Sequence, residues 1–420
     1  MSIIPKYKNN SISSSEHKKS WSNDIAQSFL FKKLEKIKHG FLEIHTDEMI
    51  FSFGNKDSQA ELHAIIRVHN PSAYMAVLLG GEPAAGNTYV KGWWSSDKLL
   101  DVMRIFTLNR ETLFSFKSGI ASIAKPVYSI GHAFNKNSTQ GSKRNILAHY
   151  DIGNDFYSLF LDKRMMYSSA CFTPEHTNLE GASEFKLKVI CEKLKLTPTD
   201  HVLEIGSGWG GFAIYAAENY GSKITTTTIS NQQYDYINEL IKSKNLEKKI
   251  TVLKKDYRTL QGQYDKLVSI EMIESVGHQY LDNYFKTCSK LLKPDGVFLI
   301  QAITISDYLH KHYLNSMDFI RKYIFPGGSL PSMASMMHSV SRNTDFTVYH
   351  TESYADSYAK TLSIWYQRFI QNKEKVLELG YEHTLMRLWE YYLKYCQAGF
   401  EERVIDVQHL VLKRPANRFS

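Results

Sequence analysis

The sequence predicts an α/β protein in which a Rossmann-like domain with a helical insertion follows a small α+β domain. Three observations carry this prediction. Apolar, strand-like runs alternate with helical runs from about residue 201 onwards, as in a doubly wound parallel sheet. A glycine-rich loop joins the first of these strands to the next helix. Before residue 131 the strands cluster together and the helices follow them, which indicates a separate domain.

The elements before residue 150 divide into three segments. Residues 1–24 are rich in Ser, Asn and Lys and are predicted to be disordered. Residues 25–131 are predicted to form the accessory domain, and 132–145, a polar run without large apolar side chains, is the predicted linker to a domain at 146–420. Within the accessory domain, alternating residues between 40 and 68 predict three strands, and helical spacing predicts helices at 71–79, 97–108 and 110–131.

The elements of the second domain follow the same patterns. Strands are predicted at 201–205, 223–229, 250–254, 264–270 and 296–303, the last after a turn at Pro294-Asp295-Gly296. Helices are predicted at 209–220, 230–245 and 279–292. A closing strand pair is predicted at 345–350 and 405–412, with long helices at 354–372 and 374–399 between its members. Residues 305–343 are too long for an ordinary loop and predict a helical insertion.

Composition narrows the class of protein. The 420 residues are 43% hydrophobic and carry a formal net charge of +8, which favours an anionic partner such as nucleic acid, anionic lipid or an acidic ligand. The four cysteines have no metal-type spacing, so we expect reduced thiols and no metal site. No run of 18 apolar residues and no signal-peptide pattern occurs, so we expect a cytoplasmic protein with peripheral membrane contact at most.

The glycine-rich loop lies in the run VLEIGSGWGG at 202–211. Gly206, Gly208 and Gly210 allow the backbone to approach a ligand closely, and Glu204 is the acid at the end of the strand. The pattern resembles the S-adenosylmethionine loop of Rossmann-like methyltransferases. Phe212 follows the glycines where a P-loop would need Gly-Lys-Ser/Thr, but a pyrophosphate-binding loop and a plain tight turn both stay open.

Polar residues follow the other strands, and the carboxyl ends of parallel strands are where open α/β sheets bind ligands. Asp256 follows the third strand and is placed to accept a hydrogen bond from an adenine amino group. No acid follows the second strand, so Thr228, Ser230 and Gln233 are the candidates for contacts with ribose hydroxyls.

Several motifs together resemble one family over residues 146–412, the cyclopropane fatty acid synthases and mycolic acid methyltransferases. The matching motifs are HYDIGN (149–154), MYSSA (166–170), VLEIGSGWGG (202–211), TIS with Gln233 (228–230), DYR (256–258), SIEMIESVG (269–277), YIFPGG (323–328), WYQRF (365–369) and YYLKYCQAGF (391–400). They occur in the family's order, and their joint specificity far exceeds that of any single motif. The N-terminal 1–130 resembles the accessory domain of bacterial members more weakly.

The resemblance implies transfer of the S-adenosylmethionine methyl group to a cis double bond in a phospholipid acyl chain. Attack by an alkene leaves a carbocation, from which a base removes one proton of the transferred methyl as the ring closes. Water must be excluded, and aromatic faces stabilise the cation. The family uses bound bicarbonate as the base. Implied partners are unsaturated phospholipid in an anionic bilayer, and a second copy of the chain, but not nucleic acid.

The resemblance also implies roles for individual residues. Glu274 and Tyr366 would hold the bicarbonate with the backbone amides of Ser169 and Ile303, and Cys396 matches a cysteine of the family's active-site region. The residues expected to bind S-adenosylmethionine are Tyr167, Ser168, Glu204, Gly206, Gly208, Gly210, Thr228, Ser230, Gln233, Asp256 and Tyr257.

Two positions depart from the family's pattern. Ser169 replaces a cysteine, which leaves a backbone amide unaffected. Gln301 replaces a histidine at the end of the fifth strand, and glutamine donates a hydrogen bond but cannot carry a proton. This change puts bicarbonate binding in doubt and leaves open a fatty acid methyltransferase that makes a methyl or methylene branch. A catalytically inactive lipid-binding protein and a nucleic-acid methyltransferase are further alternatives.

The insertion at 305–343 mixes aromatic and basic residues, which suits a lipid gate with phosphate contacts. A plain helical cover over the sheet is the alternative. The aromatic members of this set are Tyr308, Tyr313, Phe319, Tyr323 and Phe325, and the basic members are Lys311, Arg321 and Lys322.

Overall fold

The structure is a computed structural model that describes residues 21–56, 62–113 and 152–418. The predicted linker, most of the predicted helix at 110–131, and His149 lie outside the described residues. The chain divides into two compact units. The first comprises Met1–Phe134, Ser316–Ile324 and Ile370–Val404, and the second comprises Asn135–Asn315, Phe325–Phe369 and Ile405–Ser420.

The first unit contains a four-stranded sheet and the helices packed around it. Its elements are α1 (Trp21–Leu34), β1 (Phe41–His45), β2 (Ile50–Gly54), β3 (His63–Val68), α2 (Ser72–Val90), β4 (Trp94–Ser95), α3 (Leu99–Leu108) and α4 (Arg110–Leu113). The strand order is β2-β1-β3-β4, with β1 and β3 parallel. The three predicted strands are confirmed, but residues 21–24 begin helix α1 instead of belonging to a disordered segment.

A helix from late in the sequence completes the first unit. This helix, His383–Glu401, packs on α2 and α3. Arg387 donates from Nε to the carbonyl of Tyr89 at 2.7 Å, and the Tyr89 hydroxyl donates to Glu390 at 2.8 Å. Arg104 of α3 forms an ion pair with Glu402 at 2.5 Å. Two segments that we assigned to the catalytic domain, 316–324 and 370–404, therefore cluster with the accessory unit.

The second unit is a seven-stranded sheet with helices on both faces. The elements up to the fifth strand of this sheet are α5 (Asn154–Ser158), α6 (Leu179–Leu194), β5 (His201–Ile205), α7 (Gly211–Tyr220), β6 (Lys223–Thr227), α8 (Asn231–Ser243), β7 (Ile250–Leu253), β8 (Tyr264–Ile270), α9 (Leu281–Leu291) and β9 (Leu292–Ile305). Then follow α10 (Asp307–Leu314), α11 (Met333–Asn343), β10 (Thr347–Ser353), α12 (Ala355–Gln371) and β11 (Ile405–Lys413). In the first unit, α13 (Lys373–Glu378) and α14 (His383–Glu401) lie between α12 and β11 in sequence.

The sheet has the order β10-β11-β9-β8-β5-β6-β7, and β11 runs in the direction opposite to that of the other six strands. The side chains of β5 alternate between the two cores: Val202 joins the cluster with α6, α7 and α8, whereas Leu203 and Ile205 join the cluster with α9 and α11. Both faces are therefore buried, and this confirms the predicted doubly wound α/β fold.

Three predicted details differ from the structure. Strand β9 runs through Pro294-Asp295-Gly296, where we predicted a turn. Helix α6 was not predicted at all. The predicted helix at 374–399 is two helices, because the chain turns at Gly380, which has a φ of +87°.

The insertion contains α10, a π-helical turn at Ile320–Ile324, and α11. Arg321, which we expected among its phosphate-contacting residues, is buried and pairs with Asp318 at 2.9 Å. Its charge is thus neutralised within the first unit. Tyr308 on α10 is 65% exposed. No helix in the described ranges is both long and apolar enough to cross a membrane.

Candidate active site

A cavity opens at the carboxyl ends of the central strands of the second unit. The turn after β5, the residues after β6, β7 and β8, and the segment before α6 all contribute to its wall. Its lining is formed by Met165, Met166, Tyr167, Ser168, Glu204, Ile205, Gly206, Ser207, Gly208, Trp209, Phe212, Thr227, Thr228, Ile229, Gln233, Lys255, Asp256, Tyr257, Arg258, Ile270, Glu271, Met272, Ser275 and Val276. The cavity lies where doubly wound sheets bind ligands, as the sequence predicts.

The glycine loop contributes backbone to this cavity, but its three glycines do different things. Gly206 and Gly208 line the cavity, and all three have positive φ values. A Cβ on Gly208 would meet no atom within 4 Å. Gly210 is not part of the lining: it caps helix α7, and its Cβ would lie 3.2 Å from Ile237. The prediction that Gly210 contacts the cofactor is therefore not supported, because its place is inside the helix packing.

Of the predicted residues after β6, two line the cavity and one caps a helix. Thr228 and Gln233 line the cavity and are joined by a hydrogen bond of 2.8 Å from Oγ1 to Oε1. Ser230 is buried, and its Oγ caps helix α8 by accepting from the amide of Gln233. The structure thus gives Ser230 a capping role, and its contact with the ligand stays a prediction.

The residues after β7 include the expected acid. Asp256 lines the cavity, but its carboxylate already accepts from Arg258 Nε at 2.8 Å and from Nη2 at 2.6 Å. A carboxylate has about four lone-pair sites, so this bidentate pair fixes the orientation of Asp256 without exhausting its acceptors. Tyr257 lines the cavity beside it, and burial raises the pKa of its phenol.

Glu204 is buried at the end of β5, at 2% exposure. Its Oε2 accepts a hydrogen bond of 2.5 Å from Thr226 on the neighbouring strand. Burial raises its pKa to about 8, because one hydroxyl donor does not compensate for the loss of water around a carboxylate. At neutral pH this side chain therefore carries a proton.

Aromatic rings form one side of the cavity. Tyr167 and Trp209 both line it, and both pack against Tyr157, with ring centroids 5.1 Å apart in each case. Tyr167 also stacks on Trp365 at 5.4 Å. The indole nitrogen of Trp209 donates to Asn154 at 2.8 Å, which fixes the ring. Such faces attract a cation within about 6 Å.

Two neighbouring glutamates, Glu271 and Glu274, follow strand β8. Glu271, the first residue after β8, accepts hydrogen bonds from the Ser169 amide at 2.8 Å and from Gln301 Nε2 at 2.7 Å. Glu274 accepts from the Ile303 amide at 2.5 Å, and its other oxygen is buried without a hydrogen-bond partner. Burial and, to a smaller extent, the charge of the nearby Glu271 raise the pKa of Glu274 to about 8. Burial also raises the pKa of Glu271.

The structure thus brings together Glu274, Gln301, Ser169 and Ile303, as predicted, and adds Glu271, which the sequence analysis passed over. The phenol that reaches this cluster is Tyr358, whose hydroxyl donates to Glu271 Oε2 at 2.8 Å. Tyr366 lies eight residues further along α12, rotated by about 80° around the helix, and its role in holding the base stays a prediction.

Cys396 is the remaining predicted residue, and it belongs to the first unit instead. It is half-buried on α14, and burial raises the pKa of its thiol, so it is an inert thiol at neutral pH. Its expected place in the active site stays a prediction. Within the described ranges, no group of His, Cys, Asp and Glu residues is arranged to hold a metal ion.

A second layer of residues orients the glutamates. His409 on β11 is fully buried, and its Nε2 bonds Gln301 Oε1 at 2.9 Å. Lys193 Nζ lies 3.0 Å from His409 Nδ1. Lys186 is also fully buried, donates to Ser168 Oγ at 2.6 Å, and lowers the pKa of Glu271 against the effect of burial. No sequence signal marks these partners, because they come from β11 and from the unpredicted helix α6.

Comparisons with known proteins agree with this site. The family described as mycolic acid cyclopropane synthetase matches residues 137–410. The cyclopropane-fatty-acyl-phospholipid synthase of Escherichia coli K12 is 36% identical over 358 residues, which are 84% of this chain and 88% of that protein. The tuberculostearic acid methyltransferase of Mycobacterium tuberculosis is 32% identical over 376 residues, 87% of each chain.

Solved structures are similar over about two thirds of the chain. A cyclopropane synthase from Mycobacterium tuberculosis is 28% identical, with a TM-score of 0.61, and the match covers 64% of this chain and 98% of that one. A mycolic acid cyclopropane synthase, solved in complex with SAH and CTAB, is 31% identical with the same TM-score and the same coverage.

Proposed function

The chain belongs to the mycolic acid cyclopropane synthetase family, and from this premise we propose that it forms cyclopropane rings in the unsaturated acyl chains of phospholipids. It is an S-adenosylmethionine-dependent methyltransferase. The observation that carries the proposal is the strand-end cavity, in which the glycine loop, aromatic faces and the Glu271 side chain meet, with Glu274 next to Glu271.

The residues that would hold S-adenosylmethionine fit the ligand. Gly206 and Gly208 present backbone with open space at Gly208, as close approach of a ligand requires. Thr228, Gln233 and Asp256 supply polar contacts for hydroxyl and amino groups. When bound, S-adenosylmethionine supplies an electrophilic methyl group on a sulfonium.

The remaining lining does the work of excluding water and stabilising charge. Met165, Ile270, Met272 and Val276 give the cavity apolar surface beside the glutamates. Tyr167 and Trp209 present π faces that stabilise positive charge without a group able to trap a carbocation. These are the two demands of a reaction in which an alkene attacks a methyl group.

Bicarbonate does not fit this site as the resemblance implies. The amide of Ser169, the Gln301 side chain and a tyrosine phenol are donors to Glu271, and the amide of Ile303 is a donor to Glu274. The amides of Ser169 and Ile303 and the side chain of Gln301, which were expected to hold the anion, are therefore bound to carboxylates of the chain itself. We derive no step through bicarbonate.

Contact with anionic bilayers is the proposed route to the substrate. Helix α1 presents Trp21, Ile25 and Phe29 at four-residue spacing, at 80%, 38% and 51% exposure. The same side of one helix therefore exposes large apolar groups, with Lys32 and Lys33 in its last turn. Such a helix buries its apolar face at the headgroup boundary, while each lysine near an anionic surface contributes about 1 kcal/mol. Self-association stays an open prediction.

Vesicle co-sedimentation tests this part of the proposal. The double variant Trp21→Ser, Phe29→Ser should lose binding to anionic vesicles, and wild-type binding should fall as salt is raised. Leu79→Ser is the matched control, because Leu79 is 57% exposed on another helix of the same unit. Equal binding by the wild type and the double variant would remove α1 from the docking surface.

The activity itself is tested by incubating the full-length protein with S-adenosylmethionine and vesicles of unsaturated phospholipid. The expected product is an acyl chain heavier by one methylene, with the upfield proton NMR signal of a cyclopropane. A methyl- or methylene-branched acyl chain would instead support the alternative that Gln301 leaves open. Formation of neither product would overturn the proposal.

A further inference from the structure

Glu271 occupies an unusual position for a residue with a side chain. It has a φ of +48°, in the left-handed region that L-residues rarely adopt. Its amide donates to the carbonyl of Gln301 at 2.7 Å, which holds the turn after β8 in this conformation. A strained residue that lines a cavity at the carboxyl end of a strand indicates a functional constraint on its side chain.

The side chain of Glu271 accepts three hydrogen bonds, and two of the donors are fixed in direction. The Ser169 amide can only donate, and the Tyr358 hydroxyl is the third donor, to Oε2. The Gln301 amide group is oriented by its other end: Lys193 donates to His409 Nδ1, so His409 Nε2–H donates to Gln301 Oε1. The Gln301 NH₂ group then points to Glu271.

These donors favour the ionised form of Glu271, and the buried ammonium of Lys186 adds to that preference. Glu274 has the opposite surroundings. It receives one hydrogen bond, and its second oxygen is buried without a partner, so Glu274 takes up a proton more readily than Glu271 does. Of the two side chains, Glu271 is therefore the one whose surroundings favour a carboxylate.

We propose that the Glu271 carboxylate is the base that removes the proton of the transferred methyl group, in place of bound bicarbonate. This inference rests on the proposed function. In the first step the alkene electron pair forms a bond to the methyl carbon as the carbon–sulfur bond breaks, which leaves a cation on the other alkene carbon. In the second step a C–H bond of the new methyl breaks. Its electron pair forms the second ring bond to the cationic carbon, and the proton goes to Glu271.

A carboxylate is a sufficient base here, because loss of a proton from the new methyl group discharges the carbocation as the ring closes, which makes that proton strongly acidic. The base must also be held in a fixed orientation and shielded from water, and the three hydrogen-bond donors hold Glu271 in its orientation. Gln301, His409 and Lys193 are positioning residues in this scheme, since they act on the reaction only through Glu271.

The decisive variant is Glu271→Gly. Glycine adopts a φ of +48° without strain, so this change removes the carboxylate without disturbing the turn. It also releases the donors of Ser169, Gln301 and Tyr358, and so creates room for a small anion. Glu271→Gln is the matched control, because its amide keeps the space filled.

Two measurements on the full-length protein test the proposal. In buffer freed of carbon dioxide, wild-type turnover should change less than twofold, whereas Glu271→Gly and Glu271→Gln should both fall by at least a hundredfold. Added bicarbonate or formate should restore Glu271→Gly by at least tenfold and leave Glu271→Gln unchanged. Wild-type turnover that depends on bicarbonate, or Glu271→Gly turning over at the wild-type rate without an added anion, would overturn the proposal.

The second measurement is binding of ¹³C-labelled bicarbonate by NMR, which requires no turnover. Glu271→Gly should bind the anion at millimolar concentration, and the wild type should not. Binding by the wild type would refute the assignment of the donors to Glu271. If the wild type makes no ring product, the proposed function fails, and this binding comparison still decides whether Glu271 occupies the anion site.

Discussion

Two glycines of one loop, Gly208 and Gly210, provide a test of which backbone approaches the cofactor. Both have positive φ values, +48° and +88°, so an alanine at either position carries a similar backbone cost of about 1–2 kcal/mol. They differ in what the new Cβ meets. At Gly208 it meets nothing within 4 Å and enters the cavity, whereas at Gly210 it lies 3.2 Å from Ile237 and 3.5 Å from Ile214.

The expected effects are therefore opposite in kind. Gly210→Ala should cost about 2–3 kcal/mol of unfolding free energy, because the overpacked contact with Ile237 adds to the backbone cost. Its affinity for S-adenosylhomocysteine should change less than threefold. Gly208→Ala should lower the unfolding free energy only by the backbone cost of about 1–2 kcal/mol. Its affinity for S-adenosylhomocysteine should fall at least tenfold, about 1.4 kcal/mol, since the methyl group takes space from the ligand.

Urea unfolding measures the first quantity, and isothermal titration calorimetry with S-adenosylhomocysteine measures the second. Circular dichroism confirms that both variants are folded before titration. The reasoning is refuted if Gly210→Ala weakens binding as much as Gly208→Ala does, or if Gly208→Ala binds as tightly as the wild type.

Three further predictions follow from single contacts. Glu204→Gln should remove a pH dependence of the unfolding free energy. Because the pKa of Glu204 is raised to about 8, the wild type loses stability as pH rises from 4.5 through 8. Urea unfolding at pH 6 and pH 9 should therefore show a loss about 2 kcal/mol larger for the wild type than for the variant. Trp209→Leu should weaken S-adenosylmethionine about threefold to thirtyfold more than S-adenosylhomocysteine in calorimetry, because only the former is a sulfonium, whereas Trp209→Phe should not; equal losses would leave the ring a packing role alone. Gly86→Ala should lower the thermal midpoint, since its Cβ would lie 2.2 Å from Phe319, and a midpoint equal to that of the wild type would contradict this packing.

The sequence alone predicts the order and type of most elements in the second unit. The reason is physical: a doubly wound sheet is built from consecutive strand–helix units, so hydrophobic periodicity reports directly on local structure. Glu274 is implied by the family resemblance, whereas the glycine loop, Thr228, Gln233 and Asp256 are predicted for the same reason as these elements. Each follows the end of a strand in the chain, and the parallel topology brings all such ends to one edge.

Other features were decided only by packing between distant segments. Whether Gly210 and Ser230 touch the cavity depends on the helices that begin there, and both residues serve those helices. The helix His383–Glu401 joins the accessory unit because its arginine and glutamates find partners on α2 and α3, some 300 residues earlier. Sequence periodicity shows that such a helix has an apolar face, but not which surface covers that face.

The carboxylate cluster shows the same limit most clearly. Position 271 was visible as an acid at a strand end, yet nothing local distinguishes it from Glu274. Its distinction comes from donors that four separate segments contribute: Ser169 before α6, Gln301 on β9, Tyr358 on α12 and, through Gln301, His409 on β11. The chemistry of a buried carboxylate depends on how many donors surround it and how much water is excluded, and both are properties of the tertiary structure.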